Sequence, residues 1–346
     1  MLDSAYYIGA PIVKQFEEEF GAYIGGHCVG TSNGTDAIFL GLEALGVGEG
    51  DEVITQANTY TATVFSISRT GATPVLVDVD PHSMMMDVSQ VESKITSKTK
   101  CILPVHLYGH AADMTALMAI ADKHNVPVLE DTSQAHGATI DGQKLGSFGQ
   151  VSCFSFYPGK NLGGYGDAGG IIAKDAEHAK LMMMLRNMGQ SKKYYHDMIG
   201  YNHRLDSIQA AVLSVRLKHL DAWNARRGVL AAQYIEGLKN LEELTLPSWD
   251  ADRVVPVWHL FVIRIDEQLR DALHDHLREA GVGVAIHYPI PIHETGAYQA
   301  ALGPTGPYPV ASSAAKQMIS LPIHPDLSDD DQQYVIDTIK AFCANS

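Results

Sequence analysis

The chain has 346 residues and a formal net charge of −15, from 40 acidic and 25 basic side chains. This length is typical of one large domain joined to a smaller one. A nucleic-acid backbone requires a basic protein surface, so the charge excludes nucleic acid as an expected partner, whereas a small anionic ligand needs only a local positive pocket. The four cysteines are widely spaced, and Cys101 and Cys153 lie in apolar runs. We therefore expect core cysteines and no disulfide framework.

The sequence predicts neither a signal peptide nor a membrane-spanning segment. The first residues contain no basic stretch followed by an apolar core, and no apolar segment is long enough to span a bilayer. The expectation is a cytoplasmic protein, with no signal peptide and no membrane partner.

Along the chain, short apolar runs alternate with segments of helical periodicity, as in a sheet covered by helices. The predicted strands cover residues 52–55, 73–77, 101–105, 127–130, 151–156 and 169–173. Helices are predicted around Ile38 and Leu42, around Leu117 and Ile120, and around Leu181 and Leu185. The fold class is therefore α/β.

The later part of the chain predicts a second, smaller domain. A long helix at about 206–238 would connect a large domain, residues 1–245, to residues 246–346. In the latter, the pattern predicts a strand at 257–265, a helix at 267–280, a strand at 283–287 and a helix at 329–342. This order is typical of a small α+β domain.

Lys160 is the most informative residue. It lies in a glycine-rich loop directly after the predicted strand 151–156. A lysine is seldom placed there for packing, and a partly desolvated lysine amine can lose its proton and attack a carbonyl. The usual aldehyde partner in such a site is pyridoxal phosphate. An isolated loop lysine would more simply be solvated, so the hypothesis depends on other segments that supply what this cofactor needs.

Two such segments come earlier. Residues 32–36, Ser-Asn-Gly-Thr-Asp, precede a helix, and a glycine turn at a helix start offers free backbone N–H groups to a phosphate, although it is also an ordinary cap. Asp131 follows the strand 127–130, where a carboxylate can keep a pyridine nitrogen protonated and so make the ring an electron sink. It can also be a turn residue. Glu130 should point to the opposite face of its strand.

Two further segments are polar or aromatic. Tyr60 follows a strand and could stack on a flat cofactor or pack in the core. Asn202 and Arg204 lie in a polar loop before the long helix, suited either to oxyanion contacts or to a cap region. Among the sixteen histidines, His106 and His110 are four apart in a loop with no third ligand at a recognisable spacing, so no metal site is predicted.

Together these segments resemble the DegT/StrS family of pyridoxal-phosphate sugar aminotransferases, over nearly the full chain. The matching stretches, in order, are FEEEF at 16–20, SNGTDA at 32–37, GDEVIT at 50–55, GATPV at 71–75, EDTSQAHG at 130–137, the Lys160 loop, VWHL at 257–260 and HYP at 287–289. The resemblance implies the fold type I of pyridoxal-phosphate-dependent transferases, with a large, mostly parallel sheet domain.

The resemblance also implies roles for individual residues. Lys160 would form the Schiff base and move protons, and Asp131 would pair with the pyridinium nitrogen. The remaining cofactor contacts would be Gln134 to the phenolic oxygen, Tyr60 to the ring face, and Gly34, Thr35 and Ser155 to the phosphate. Asn202 would reach the phosphate of a neighbouring subunit's cofactor, which implies a homodimer with shared sites. Tyr288, with Tyr157 and His287, would contact the sugar.

The subgroup signal lies in the Lys160 loop and in Gln134. Both are similar to the branch that aminates C3 of a nucleotide-linked, usually dTDP-linked, 3-keto-6-deoxyhexose with an amino donor such as L-glutamate, in deoxyamino-sugar biosynthesis. A C4-aminating enzyme is the alternative. A dehydratase of the family would carry His at the lysine position, and a non-catalytic regulatory or binding protein would not need Lys160, Asp131 and Gln134 intact.

The chain departs from the family pattern in two places. Family members usually have further residues before the segment that matches residues 2–4, so an N-terminal helix would be missing here. His110 stands where a Gln is expected after Tyr108-Gly109.

Overall fold

The computed structural model describes residues 5–303 and 305–345. Its α-helices are α1 (Pro11–Ile24), α2 (Gly34–Ala44), α3 (Thr61–Arg69), α4 (Met114–His124), α5 (Ala176–Leu185), α6 (Ser207–Leu217), α7 (Leu220–Leu238), α8 (Glu267–Glu279), α9 (Gly296–Leu302), α10 (Pro309–Gln317) and α11 (Asp329–Cys343). The strands of four or five residues, with the three-residue β5 between them in the chain, are β1 (His27–Thr31), β2 (Glu52–Gln56), β3 (Thr73–Val77), β4 (Thr99–Leu103), β5 (Leu129–Asp131), β8 (Val151–Ser155), β9 (Gly169–Ala173), β14 (Phe261–Ile265) and β15 (Met318–Leu321). Two-residue and three-residue strands complete the set: β6 (Thr139–Ile140), β7 (Gln143–Lys144), β10 (Gln190–Lys192), β11 (Tyr195–His196), β12 (Leu244–Thr245) and β13 (Val254–Val255).

The large sheet has the strand order β3-β2-β4-β5-β8-β9-β1. Parallel bridges, Ile102 to Val128 and Val105 to Asp131, join the β3-β2-β4 half to the β5-β8-β9-β1 half. β9 is antiparallel to both of its neighbours, and the other six strands are parallel to one another. Their carboxyl ends therefore meet at one edge of the sheet, where ligands bind in open α/β sheets.

The apolar runs of the sequence form the strands of the large sheet because they are buried there. β5 and β9 are buried along their whole length, because helices cover the sheet. α2 packs across β5, β8 and β9, and nearly all of its residues are buried. All four cysteines are free and buried, and the prediction of Cys101 and Cys153 as core residues is confirmed.

The predicted strands of the large sheet all occur, with ends shifted by up to two residues. The pattern missed β1, in which Gly30 interrupts the apolar run. The long helix predicted at 206–238 is instead two helices, α6 and α7, which separate at Lys218–His219. Ala210 and Leu213 of α6, with Leu220 at the start of α7, join the cluster around Phe20, whereas the later part of α7, around Tyr234, belongs to a different hydrophobic cluster.

A second sheet, β12-β14-β15, lies in the later part of the chain. With α7, α8 and α11 it encloses a hydrophobic core around Tyr234, Phe261 and Ile336. The strand predicted at 283–287 is wrong, because Ala285 forms only an isolated bridge to Ser320. β14 pairs instead with β12 and with β15, both antiparallel to it. The division at 245/246 stays a prediction.

Over the described residues, no helix is long and apolar enough to cross a membrane. Residues 2–4, on which the expectation of a missing N-terminal helix depends, lie outside the described part of the chain.

Candidate active site

A cleft of about 740 Å³ opens at the carboxyl ends of β2, β5 and β8. It brings together residues from seven separate regions of the chain. Ten of the eleven predicted site residues line it: Gly34, Thr35, Tyr60, Asp131, Gln134, Ser155, Tyr157, Lys160, His287 and Tyr288. Asn202 does not.

Lys160 lies in the turn that leaves β8. Its backbone N–H donates to the Tyr157 carbonyl at 2.8 Å. The turn must contain glycine, because a Cβ at Gly163 would lie 2.4 Å from the Pro158 carbonyl oxygen. Burial lowers the pKa of the Lys160 amine to about 8, against the opposing pull of the Asp131 charge. At neutral pH about a tenth of such an amine is unprotonated, far more than for a solvated lysine. The solvated alternative therefore does not describe this side chain.

Asp131 ends β5 and is buried. Thr63 Oγ1 donates to its Oδ2 at 2.8 Å, and the backbone N–H of Ser133 donates to Oδ1 at 3.2 Å. These contacts hold the carboxylate at the cleft wall. The sequence offered no specific signal for Thr63, which comes from α3.

Gln134 has one amide orientation. The Tyr108 backbone N–H donates to Gln134 Oε1 at 2.7 Å, so Nε2 is the end that donates, and it does so to the Tyr288 hydroxyl at 3.1 Å. Tyr108 adopts a left-handed backbone conformation, with φ 61°, and its hydroxyl donates to the His287 carbonyl at 2.5 Å. Tyr108 therefore links the Gln134 amide to the His287–Tyr288 segment, a role that sequence reasoning did not find.

Tyr60 is not a core residue, because it is 55% exposed. It precedes α3, and its ring centroid lies 5.4 Å from that of Tyr288, with the planes tilted by 35°. Two aromatic rings thus border the cleft, and an aromatic ring can stack on a flat ligand.

The N-terminus of α2 points into the cleft. Asn33 caps the helix, with its Oδ1 accepting from the Asp36 backbone N–H at 2.8 Å. The N–H groups of Gly34 and Thr35 have no partner within the helix, since they belong to its first turn. A Cβ at Gly34 would lie 2.6 Å from the Ser155 Cβ, so glycine lets the helix approach β8 closely. The same helix start that Asn33 caps is thus also suited to bind an anion.

Glu130 points away from the cleft, as expected. Its fully buried carboxylate accepts from the backbone N–H groups of Gly146, Phe148 and Gly149 at 2.8, 2.9 and 2.8 Å. His106 Nε2 lies 3.1 Å away. The carboxylate thereby fixes the turn at 146–149, from which β8 and the Lys160 loop continue.

Three histidines lie near Lys160. Burial, with the Lys160 charge, lowers the pKa of His136 to about 3 and also lowers the pKa of His287. For His259, burial and the charges of Lys160 and Arg227 lower the pKa well below its usual range. All three rings are therefore neutral at pH 7. His259 was noted in sequence only as part of a matching stretch.

His110 packs among aromatic rings. Its ring centroid lies 4.6 Å from that of Trp258, edge to face, and burial lowers its pKa to about 4. The imidazole thus acts as a neutral packing group beside Tyr108-Gly109.

Asn202 and Arg204 lie outside the cleft. Asn202 is exposed and forms a bridge with Asn187, whose side-chain oxygen accepts from Arg204 at 3.0 Å. Within 5–303 and 305–345, no group of three or more His, Cys, Asp or Glu side chains is arranged to hold a metal ion.

The residues of the cleft fit pyridoxal phosphate. They provide an amine of lowered pKa, a fixed carboxylate, a single amide donor, two aromatic faces and a helix N-terminus for a phosphate.

Comparison with known proteins identifies the family. Residues 1–340 match the model of the DegT/DnrJ/EryC1/StrS aminotransferase family. The chain belongs to this family. Similar aminotransferases have been solved with pyridoxal phosphate and with its amine form, so the predicted enzyme class and cofactor are confirmed at the level of the family.

Two relatives are close over almost the whole chain. The dTDP-3-amino-3,4,6-trideoxy-alpha-D-glucose transaminase of Streptomyces venezuelae is 47% identical, over 99% of this chain and 90% of its own. The erythromycin biosynthesis sensory transduction protein EryC1 of Saccharopolyspora erythraea is 49% identical, over 99% of this chain and 93% of its own. The crystal structure of S. venezuelae DesV superposes with a TM-score of 0.96 at 46% identity, covering 99% of this chain and 92% of DesV. The predicted fold is confirmed.

Proposed function

We propose that this aminotransferase transfers an amino group from an amino-acid donor, L-glutamate, to C3 of a dTDP-linked 3-keto-6-deoxyhexose in the cytoplasm. The proposal rests on one observation above all. The Lys160 amine, whose pKa is about 8, and the fixed Asp131 carboxylate line the same cleft. The S. venezuelae relative is named for a dTDP-3-amino sugar, which supports C3.

Bound pyridoxal phosphate supplies an electron sink that stabilises a carbanion. The chain's own residues position it and move protons. Lys160 would be the residue that holds the cofactor, through its unprotonated amine, and its Nζ would also take or give a proton. Asp131, immobilised by Thr63 and Ser133, would keep a proton on the ring nitrogen. The first turn of α2 and the Ser155 hydroxyl would bind the phosphate.

The remaining roles concern orientation. Gln134 Nε2 has a second hydrogen for the cofactor's phenolic oxygen, because its Oε1 is occupied by the Tyr108 N–H. Tyr60 covers the ring face. Tyr288, with Tyr157 and His287, contacts the sugar, and binding of the distant nucleotide orients the keto carbon.

The first experiment identifies the lysine. Purified protein should be yellow, and borohydride should attach the cofactor to the peptide that contains Lys160. The label on another lysine, such as Lys174, would refute the assignment.

The second experiment identifies the substrate. Protein shown to hold the cofactor is incubated with glutamate and with dTDP-linked 3-keto and 4-keto sugars, and NMR identifies the aminated carbon. Amination at C4 alone would contradict the C3 assignment. No turnover of either sugar would favour the regulatory alternative, with which the name of the S. erythraea relative agrees.

The shared active site is a separate part of the proposal. Asn202 is exposed and outside its own chain's cleft, as a residue that reaches a second subunit would be. Lys160→Ala and Asn202→Ala proteins, each nearly inactive, should regain some activity when subunits exchange. A fully active monomer would rule out a homodimer with shared sites.

A further inference from the structure

Asp36 holds the turn that opens α2. Its Oδ2 accepts from Ser32 Oγ at 2.6 Å and from Asn33 Nδ2 at 2.8 Å. The Asn33 amide has one orientation, since its Oδ1 accepts from the Asp36 backbone N–H. The two side chains before Gly34 are thus bonded to one carboxylate, and the position of the free N–H groups of Gly34 and Thr35 depends on it.

The charge of Asp36 lies close to the place where a phosphate would bind. Asp36 lines the cleft and belongs to the first turn of α2, whose positive end attracts a carboxylate and a phosphate alike. Among the described residues that line the cleft, three are acidic, Asp36, Asp131 and Asp167, and Lys160 is the one lysine or arginine. A phosphate group therefore binds well here only where the Asp36 charge is balanced.

Arg69, the last residue of α3, supplies the balancing charge. Its Nη1 donates to Asp36 Oδ1 at 2.7 Å, and its guanidinium carbon lies 4.0 Å from the centre of the Phe39 ring. An exposed ion pair contributes little to stability, but the Asp36 side chain is only 11% exposed and Arg69 is held against Phe39. The pair therefore has a fixed geometry.

His203 holds the other arm of the guanidinium. Arg69 Nη2 lies 3.0 Å from His203 Nε2, and because a guanidinium can only donate, Nε2 is the acceptor. A neutral ring then carries its hydrogen on Nδ1, which lies 3.1 Å from Asp36 Oδ2. Burial lowers the pKa of His203 against the charge of Asp36, and the charge of Arg69 lowers it further, so the ring is neutral at pH 7.

The backbone beside His203 is also bonded to the turn. The Ser32 N–H donates to the His203 carbonyl at 3.1 Å, and Thr31 and Arg204 form an antiparallel bridge. The turn and the segment 203–204 are thus joined through their backbones, and Arg69 joins them through side chains.

We propose that Arg69 is a positioning residue for the phosphate of the cofactor. Held by His203, it fixes and neutralises the Asp36 carboxylate, so that the turn at 32–36 presents its N–H groups to a phosphate without an opposing charge. The proposal rests on the phosphate site at the start of α2 that the proposed function assigns. Its tests use no sugar and no amino donor, so their failure is distinguishable from failure of the proposed function.

The first test compares two ligands of the cofactor-free, full-length protein. Pyridoxal phosphate and pyridoxal share the ring and the aldehyde, and only the former carries a phosphate. In absorbance titrations, Arg69→Met should weaken the binding of pyridoxal phosphate by about tenfold, because a nearby negative charge is no longer balanced, and should leave the binding of pyridoxal unchanged. Arg69→Lys keeps the charge and should recover part of the loss. Equal losses for both ligands, no loss, or a Lys variant as weak as the Met variant would overturn the proposal.

A double variant tests whether Arg69 acts through Asp36. Once Asp36→Asn has removed the carboxylate charge, the addition of Arg69→Met should have little further effect on the binding of pyridoxal phosphate. The same loss in both backgrounds would mean that Arg69 attracts the phosphate directly, and the proposal would be wrong.

The last test observes His203. Full-length protein with ¹⁵N-labelled histidine is examined by NMR at pH 7, and the His203 signals are assigned by their loss in His203→Gln. The expected result is a protonated Nδ1 and an unprotonated Nε2, whereas a protonated Nε2 or an imidazolium would contradict the contact with Arg69 and overturn the proposal. Far-UV circular dichroism checks that the Arg69 variants are folded, and this measurement on the wild-type protein tests the proposal even where they are not.

Discussion

Replacement of Glu130 by glutamine should destabilise the protein strongly, although glutamine has nearly the same shape. Each carboxylate oxygen of Glu130 faces two donors. Oε1 accepts from the Phe148 and Gly149 N–H groups, and Oε2 from the Gly146 N–H and His106 Nε2. A glutamine places its NH₂ group against two donors in either orientation.

The structure sets the size of the effect. Each buried donor left without an acceptor costs about 1–3 kcal/mol, so two cost about 2–6 kcal/mol. A change of His106 tautomer gives no relief, because its Nδ1 accepts from the Ala112 N–H at 3.2 Å. Total stabilities are about 5–15 kcal/mol, so the loss is a large part of the total.

Thermal unfolding with and without cofactor measures the effect. We expect Glu130→Gln to lower Tm by roughly 4 °C or more. The matched control is Glu242→Gln at an exposed position, which should change stability by less than about 0.5 kcal/mol. A Glu130→Gln protein as stable as the control would refute the assignment of this carboxylate as the acceptor that holds the 146–149 turn.

Three further predictions concern the cleft. Asp131→Ala should keep the fold but reduce turnover at least tenfold, since a hydrogen bond to a charged group contributes about 1.5–3 kcal/mol; near-normal steady-state rates would make Asp131 only a turn residue. Tyr108→Phe removes the hydroxyl that donates to the His287 carbonyl but keeps the backbone contact to Gln134. The KM for the sugar nucleotide should therefore rise several-fold, while the cofactor affinity, measured by absorbance titration, stays unchanged. The pKa of Lys160 is about 8 in the folded protein and 10.5 when unfolded. The folded protein therefore binds fewer protons between these values, and the unfolding free energy of the cofactor-free protein should rise with pH across this window and fall as pH drops through 8. Lys160→Met should remove that part of the slope in urea titrations at several pH values.

The sequence by itself determined six of the seven strands of the large sheet, all but β1, and the main chemical groups of the site. Runs such as 151–156 are apolar along their length. A strand that is buried on both faces of a sheet can be recognised from such a run alone. Lys160 in its glycine-rich loop and Asp131 after its strand were recognisable because the carboxyl ends of parallel strands meet at one edge.

Tertiary structure decided what local patterns do not encode. The break between α6 and α7 at Lys218–His219 was not predicted, and β15 forms because β14 lies beside it. Tyr60 proved to be exposed at the cleft rather than a core residue, which its neighbours in sequence did not determine.

The same holds for the groups that orient the site. Thr63 bonds Asp131 across 68 positions, Tyr108 bonds Gln134 across 26, and the His259 ring lies 3.2 Å from the Asn161 side-chain oxygen, 98 positions earlier. A hydrogen bond needs its two atoms within about 3 Å, and only the folded chain determines which distant residues come that close.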